Sequence, residues 1–340
     1  MRAACYAGDR TLELVEVGRN DPGPGEVRIT VAFTGICGTD LHIWHGAMDR
    51  RVTMPAILGH EMSGTIAAIG EGVADWRVGD RVTVMPLVWC GECPACRAGH
   101  QHICHNLNFV GIDSPGSMQE SWTVSQDVLV ALPPTLSLQV GALAEPTAVA
   151  VHDVRRAQLL PRERAVVVGG GPIGLLIASV AQAQGSDVLL MEVNEQRRAV
   201  AHSLGFAVLD PATADADSIL DGWSAGAGAD VAFEVSGAVA GLETAIQSLA
   251  TRGRLVVVAI HSEPPPVNLF RVFWRELTLI GARVYERADF EDAVELLASG
   301  AIPAAQLTTS IESLDHVAAA FAELETGQAM KILIDCQAGA

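Results

Sequence analysis

The sequence predicts an α/β protein of two domains, an irregular, partly antiparallel β domain and a doubly wound parallel sheet. Three observations carry this. The segment from Arg2 to about Leu132 holds short β-rich runs separated by Gly, Pro and Asp. From Arg164 onward, strand-like and helix-like runs alternate, which implies parallel strands covered on both faces. The length, 340 residues, suits about two domains of ordinary size.

In chain order, Val27–Phe33, Gly64–Ile69 and Arg81–Val84 read as strands, with turns at Pro22–Gly25 and Gly79–Asp80. Ala165–Val168 is a continuous Val-rich run, and Pro172–Gln184 follows with a helical apolar period. Asp187–Met191 is the next strand and a helix lies near Glu195–Leu204. Later strands fit Asp230–Glu234, Leu255–Ala259 and Leu277–Ile280, with a helix Gly241–Leu249 between the first two. After Tyr285 come two amphipathic helices, Phe290–Ser299 and Leu314–Glu325, and a terminal strand, Lys331–Asp335. There is no internal repeat and no low-complexity linker, so the two domains are expected to pack closely with a cleft between them.

The chain is 49% hydrophobic with mean hydropathy +0.30 and only 18% charged, ample for a large core. Its formal charge of −18 and sequence pI near 4.8 repel phosphate backbones, and no Lys/Arg run offers a local exception, which argues against nucleic acid as a partner. Met1–Val17 lacks a basic region followed by a long apolar stretch, so no signal peptide is expected. The most apolar segment, Ala165–Ala181, is broken by three adjacent glycines and a proline, which is poor for a membrane span and good for a buried strand, turn and helix. Of seven cysteines, four crowd into fifteen residues. Without an export signal such crowding favours metal over disulfides and a cytoplasmic protein.

That crowd is CGECPACRAGHQHIC, placing Cys90, Cys93, Cys96 and Cys104 as C-x2-C-x2-C-x7-C. Loops this short can wrap four thiolates tetrahedrally around one Zn²⁺, with Gly91 and Pro94 turning the chain between ligands. Four thiolates fill the coordination sphere, so this zinc should be structural. An iron–sulfur cluster is the runner-up, because similar cysteine runs hold such clusters, and four unrelated buried thiols are the third option. His100, His102 and His105 nearby read as surface loop residues.

Val166–Val168 run straight into Gly169-Gly170-Gly171-Pro172-Ile173-Gly174, a G-x-G-x-x-G. Gly169 permits a tight turn, Gly171 lets the backbone approach a pyrophosphate, and Gly174 allows close helix–strand packing. The helix N-terminus that follows, beginning at Pro172 and Ile173, adds free N–H groups and partial positive charge. A lone match is weak; here a strand precedes it, a helix follows it, and the next strand ends on an acidic residue, Glu192. A carboxylate there accepts bonds from the adenosine ribose and repels a 2′-phosphate, so NAD is preferred over NADP. Arg197 and Arg198 temper this, since a basic pair could tolerate the phosphate.

Three more places carry ligand-type side chains in turn-like settings: Gly35-Ile36-Cys37-Gly38-Thr39-Asp40-Leu41-His42, Gly59-His60-Glu61-Met62-Ser63-Gly64 and Ala144-Glu145-Pro146. Each is bland alone, since a lone Cys is usually a small buried hydrophobe and a lone Glu solvated. Together they resemble the zinc-containing medium-chain dehydrogenase/reductase family over nearly the whole chain. The stretch from Gly59 through Gly64 and Gly70 to Val73 fits that family's zinc-alcohol-dehydrogenase pattern, and the cysteine cluster, the GDRV at Gly79–Val82 and the Rossmann half follow in the family's order.

The resemblance implies a catalytic GroES-like domain over 1–150 and 286–340 with both zinc sites, and a Rossmann NAD-binding domain over 151–285. It implies two zinc ions per chain, with Cys37, His60 and Glu145 holding the catalytic one and Glu61 binding it directly or through water. Glu145 in an AEP setting is similar to the sorbitol and butanediol dehydrogenases, and the VNEQR after Glu192 resembles the threonine dehydrogenases. Three protein ligands leave a fourth position open, and a divalent ion there acidifies a bound hydroxyl. The family suggests a proton relay from Thr39 through the nicotinamide ribose to His42, while Asp40 reads as structural in the same turn.

Two departures bear on the substrate. Ile43 stands where the sorbitol dehydrogenases have a tyrosine, and Val284–Tyr285 where they have Arg-Tyr, with Arg283 one place earlier. The expectation is therefore hydride transfer between a secondary alcohol (a polyol, diol or related small hydroxylated compound) and NAD. A homotetramer or homodimer is implied by the resemblance, with no membrane or nucleic-acid partner. The competing readings are a catalytically silent NAD-binding protein on the same scaffold, threonine-dehydrogenase-like oxidation of a hydroxy amino acid, and a zinc-independent reductase, which would lack the Cys37, His60 and Glu145 set. Trp44, Phe109 and Met118 are apolar candidates for the pocket, and Cys5 and Cys336 are expected in buried packing.

Overall fold

A computed structural model describes residues 1–339 and divides the chain into two units. The first unit takes Met1–Pro146, Glu286–Gly300 and residue 304 onward; the second takes Thr147–Tyr285 with Ala301–Pro303.

Strand Glu26–Gly35 organises the first unit. Its residues alternate between buried and partly exposed over most of its length, the period of a strand with one face on a core. It belongs to a seven-stranded sheet ordered Leu129–Ala131, Arg81–Val84, Glu61–Ile69, Glu26–Gly35, Lys331–Asp335, Thr308–Ser313, and Ser121–Ser125 also pairs with Glu26–Gly35. Only Thr308–Ser313 and Lys331–Asp335 run parallel to each other; the other pairs in this sheet are antiparallel. The register places Gly35 opposite both Glu61 and Leu333, so three distant segments end side by side at one end of the sheet. A smaller sheet pairs Arg2–Gly8 with Thr11–Glu16 and Ala56–Ile57.

The second unit is a six-stranded sheet, parallel throughout, ordered Ala207–Leu209, Asp187–Met191, Arg164–Val168, Ala229–Glu234, Leu249–Val257, Thr278–Gly281. Val166, Val168, Leu189, Met191, Ala232 and Leu255 point into one core with Leu242, Ala245 and Ile246 of the helix Val239–Ser248. These are the irregular β domain and doubly wound sheet that the sequence predicts.

Several elements differ in extent or were not legible. The strand expected at Leu255–Ala259 begins at Leu249, where an irregularity in the pairing shifts its register. The helix expected over Leu314–Glu325 starts as a 3-10 turn at Leu314–His316 and becomes α-helical at Val317–Glu325. Strand Ala207–Leu209 and helices Ala144–Arg156, Ala216–Ser224 and Leu269–Trp274 are not anticipated from the sequence. Among the described residues no helix is long and apolar enough to cross a membrane.

Candidate active site and metal centres

Cys37 leaves the sheet immediately after the strand Glu26–Gly35 and caps the short helix Gly38–Trp44. Asp40, three residues on, closes a capping box by accepting from the Cys37 N–H at 2.9 Å. His60 and Glu61 enter from the neighbouring strand. The ligand atoms of Cys37, His60 and Glu61 all lie within 4.8 Å of one another, close enough for one metal ion to gather them. Gly35 is what makes room, since any Cβ there would collide with Glu61 Oε2.

Behind this trio sits Asp40, fully buried, its Oδ1 3.7 Å from His60 Nδ1. Neither atom has a hydrogen-bond partner. A carboxylate facing one ring nitrogen leaves Nε2 as the ligating atom and orients the ring, the usual support of a metal-bound histidine. Asp40 thus serves the helix cap with one oxygen and faces His60 with the other. Glu145, 4% exposed in the first turn of helix Ala144–Arg156, is close enough for its charge to act on His60 and on Lys331.

The pocket gathers acidic groups. Burial opposes a charged His60, but Asp40, then Cys37 and Glu145, outweigh it and hold the imidazole well above its usual value. Burial likewise pushes the Asp40 carboxyl up, against His60 and the Cys37 N–H that favour its anion. A buried site that collects a thiol and three carboxyls is chemically suited to a divalent cation.

Sequence reasoning missed a fixed cation at this site. Lys331, 4% exposed, donates from Nζ to both Glu61 oxygens, at 2.8 and 2.6 Å, and to Ile36 O at 3.0 Å. Burial works against its charge, yet Glu61 and Cys37 hold its pKa above the ordinary value. The signal was a lysine opening the apolar run Ile332–Ile334 of the strand KILID, and it points at Glu61 only once the pairing through Gly35 is known.

Thr39 is half-buried in the first turn of the helix Gly38–Trp44, and His42 is exposed in its last turn. Three residues apart on a helix, they are neighbours on one side. Ile43 is fully buried. Of the apolar candidates, Phe109 packs edge-on against the His60 ring at 5.2 Å, Met118 is fully buried, and Trp44 donates to Arg10 O and packs on Phe321. Tyr285, Cys5 and Cys336 are buried, and so is His102, which the sequence had suggested for the surface.

In the cysteine loop, Cys104 Sγ lies 3.5 Å from Cys90 Sγ and 3.8 Å from Cys93 Sγ, and all four sulfurs fall within 4.8 Å of each other. Four sulfurs at Zn–S bond length in a tetrahedron would be about 3.8 Å apart, whereas a disulfide needs about 2 Å. Backbone N–H groups of Cys90, Cys96, His105 and Asn106 point at these sulfurs, at 3.3–3.5 Å. N–H bonds from Cys96 and His105 hold the Cys93 thiol down at about 6, while burial and proton sharing with Cys93 and Cys104 push Cys96 up to about 12. Four thiolates this close need a cation.

In the second unit, Gly169 adopts φ +110°, outside the range of ordinary residues, and a Cβ at Gly174 would strike the Gly169 carbonyl. A Cβ at Gly171 would meet only Arg197 Nη1, at 3.9 Å, so the backbone there is open to a ligand. Helix Pro172–Ala183 has Gly171 as its cap and no side-chain cap bond, which leaves its first N–H groups for an anion. Glu192, 6% exposed at the end of its strand, accepts from Gly170 N at 2.7 Å and Asn194 N at 2.8 Å. The basic pair divides: Arg198 is committed to Glu192 O, Val193 O and Asp210, while Arg197 faces the loop, 4.0 Å from Glu192, with its buried Nε unpartnered.

Residues 23–134 match the family described as alcohol dehydrogenase GroES-like domain, and residues 172–299 the family described as zinc-binding dehydrogenase. A 2-dehydro-3-deoxy-L-galactonate 5-dehydrogenase of Pseudoalteromonas atlantica is 50% identical over 339 residues, 99% of each chain. A probable D-xylulose reductase A of Aspergillus clavatus is 36% identical over 92% of this chain and 89% of its own. Among solved structures, the 2R,3R-butanediol dehydrogenase of Bacillus subtilis superposes with TM-score 0.89 at 32% identity, covering 98% of this chain and 99% of that one.

Proposed function

The chain belongs to the zinc-binding medium-chain dehydrogenases with a GroES-like domain, and we propose that it oxidises a secondary hydroxyl of a polyol or sugar acid with NAD as hydride acceptor. One observation carries the reading: Cys37, His60 and Glu61 converge within 4.8 Å over a buried Asp40. Glu145 lies outside that 4.8 Å group, but Lys331 engages both oxygens of Glu61, which favours Glu145 as the third ligand, and the second anionic one, beside Cys37 and His60. Zinc held there would supply Lewis acidity to the substrate hydroxyl, and a nicotinamide cofactor would supply the hydride acceptor. Thr39, in the half-buried first turn of its helix, would take the hydroxyl proton as it gives up its own, and His42, exposed in the last turn of the same helix, would pass a proton on to solvent. The printed activities of the 50% and 36% identical relatives, a sugar-acid dehydrogenase and a xylulose reductase, support a polyhydroxylated substrate.

NAD is the preferred cofactor, a reading supported by a carboxylate, Glu192, at the end of the strand after the Gly-rich turn, which would repel a 2′-phosphate, and by Arg198 being spent on its own turn. Arg197, facing Gly171, serves the diphosphate. The Cys90, Cys93, Cys96 and Cys104 site holds a second, structural zinc. A homodimer or homotetramer is supported by helix Leu269–Trp274, whose Leu269, Phe270, Phe273 and Trp274 are each 69–75% exposed. It is followed by the edge strand Thr278–Gly281, which a second copy can extend by pairing with its own counterpart. Seven free cysteines fit a reducing, cytoplasmic setting, and the net charge of −18 disfavours nucleic acid and anionic membrane surfaces.

The test is metal analysis of the purified chain together with a panel of diols, polyols and sugar acids, run with NAD and NADP side by side. Two zinc ions per chain and NAD-linked oxidation of polyhydroxylated members are expected. A single zinc whose removal leaves activity intact, or background rates on every substrate, would defeat the assignment.

A further inference from the structure

Glu234 ends its strand completely buried, and both carboxylate oxygens are used. Oε1 accepts from Ser236 N at 2.9 Å, Ser236 Oγ at 2.6 Å and Gly237 N at 3.0 Å, which folds the following turn back onto the strand end. Oε2 holds His261 by Nε2 at 3.0 Å. The segment bearing His261 is itself drawn over this strand end, because Val258 N and Ala259 N donate to the Glu234 carbonyl at 3.0 and 3.1 Å. His261 is not a solvated surface histidine, since 11% of its side chain is exposed.

The place of this pair is set by topology. Parallel strands bring their carboxyl ends to one edge, where a dinucleotide lies across the sheet. In order, that edge presents Glu192, the Gly169–Gly174 loop, Glu234 and the His261 segment. The Ser236 turn abuts the Gly-rich loop, since a Cβ at Gly169 would come within 2.9 Å of Ser236 N. With the adenosine ribose at Glu192 and the diphosphate at the loop, the other half of the cofactor must run toward Glu234 and His261, two strand spacings or roughly 10 Å on. The two ends also match in kind. Val193, beside Glu192, is 65% exposed, and Ile260, beside His261, is 79% exposed. Each puts an uncovered apolar side chain next to a fixed polar group, the pattern that suits a flat ring attached to a ribose.

We propose that His261, held by Glu234, binds the nicotinamide-ribose half of the dinucleotide, with its outer nitrogen Nδ1 hydrogen-bonded to a hydroxyl of that ribose. The carboxylate fixes the ring and commits Nε2, so that Nδ1 is the atom presented. This rests on the dinucleotide site proposed above and assigns its unassigned half.

The test uses the full-length, zinc-loaded chain and two probes, NADH and ADP, the latter carrying only the adenosine and diphosphate. His261→Ala is expected to raise the Kd for NADH about tenfold, the size of one lost hydrogen bond, and to leave the Kd for ADP unchanged. Glu192→Ala, at the other end, is expected to weaken both probes. His261→Asn, which keeps a polar atom near the Nδ1 position, should recover part of the NADH affinity. An NADH titration unmoved by His261→Ala overturns the inference, and so does an equal loss of ADP, which would mark His261 as a support of the fold. A wild-type chain that binds neither probe overturns the dinucleotide site itself, and this inference with it.

Discussion

Replacing Lys331 by Met tests how the catalytic pocket is held. The ammonium makes three bonds of 2.6–3.0 Å, two to Glu61 and one to Ile36 O, in a site where Lys331 is 4% and Glu61 1% exposed. Methionine keeps most of the stem but leaves the Glu61 carboxylate buried without its counter-charge. Removing one partner of such a pair costs about 3–5 kcal/mol. In a unit of this size each kcal/mol moves the melting temperature by about 2–4 °C, so a drop on the order of 10 °C is expected for the zinc-free protein.

Two comparisons separate this from a simple packing defect. With zinc bound, Glu61 can turn to the cation instead, so the deficit should shrink in holoprotein measured beside chelated protein. Lys331→Met combined with Glu61→Gln removes both charges, and the pair should be at least about 1–2 kcal/mol more stable than the sum of the single losses. Thermal and urea unfolding of the four proteins, each with and without chelator, give these numbers. A loss below about 1 kcal/mol for Lys331→Met, or strict additivity in the cycle, would refute the claim that Lys331 neutralises Glu61.

Four further outcomes are expected. Cys96→Ser should halve the zinc content and leave Cys90–Cys104 open to limited proteolysis, while activity per remaining zinc persists; full retention of both ions would dismiss the tetrathiolate site. Gly35→Ala, whose new Cβ meets Glu61 Oε2, should cost about ten- to a hundredfold in affinity for the catalytic zinc and none at the cysteine loop, read by competition with a chelating dye. Glu192→Ala should raise the KM for NAD about tenfold and narrow the gap to NADP; unchanged constants for both cofactors would remove Glu192 from the site. Phe273→Glu should lower the mass seen by light scattering, because it puts a charge into the 75% exposed apolar face, and an unchanged mass would move the subunit contact elsewhere.

How much of this could be read beforehand followed from whether the signal was local. The cysteine loop is fifteen consecutive residues, and its chemistry survives as spacing alone. The Gly-rich turn and Glu192 are joined by one strand–helix–strand unit, so the motif carried its own context. Lys331 was invisible because its partner is 270 positions away and the link runs through two strand registers meeting at Gly35. Glu234 and His261 were missed for a similar reason, since neither belongs to a motif and their meeting depends on the register of adjacent parallel strands. The short strand Ala207–Leu209 and the apolar helix Leu269–Trp274 lacked a period, the first being too brief and the second uncovered on several sides.

The two cation sites meet one electrostatic problem by different means, and the difference predicts how each fails. Around the cysteine loop, four backbone N–H groups turn toward the sulfurs, so part of the compensation is dipolar and comes from within the loop itself. In the catalytic pocket the acidic groups are Cys37, Asp40, Glu61 and Glu145, and Lys331, brought in by the C-terminal strand, supplies a fixed countercharge to Glu61. His60 is driven toward its protonated form by those same neighbours, a partial substitute for the metal that binding must displace. Stripping the cysteine loop therefore loosens a local turn. Stripping the catalytic pocket loads its unbalanced charge onto the pairing of Glu26–Gly35 with Glu61–Ile69 and Lys331–Asp335, so chelation should destabilise the sheet of the first unit and not only silence the enzyme.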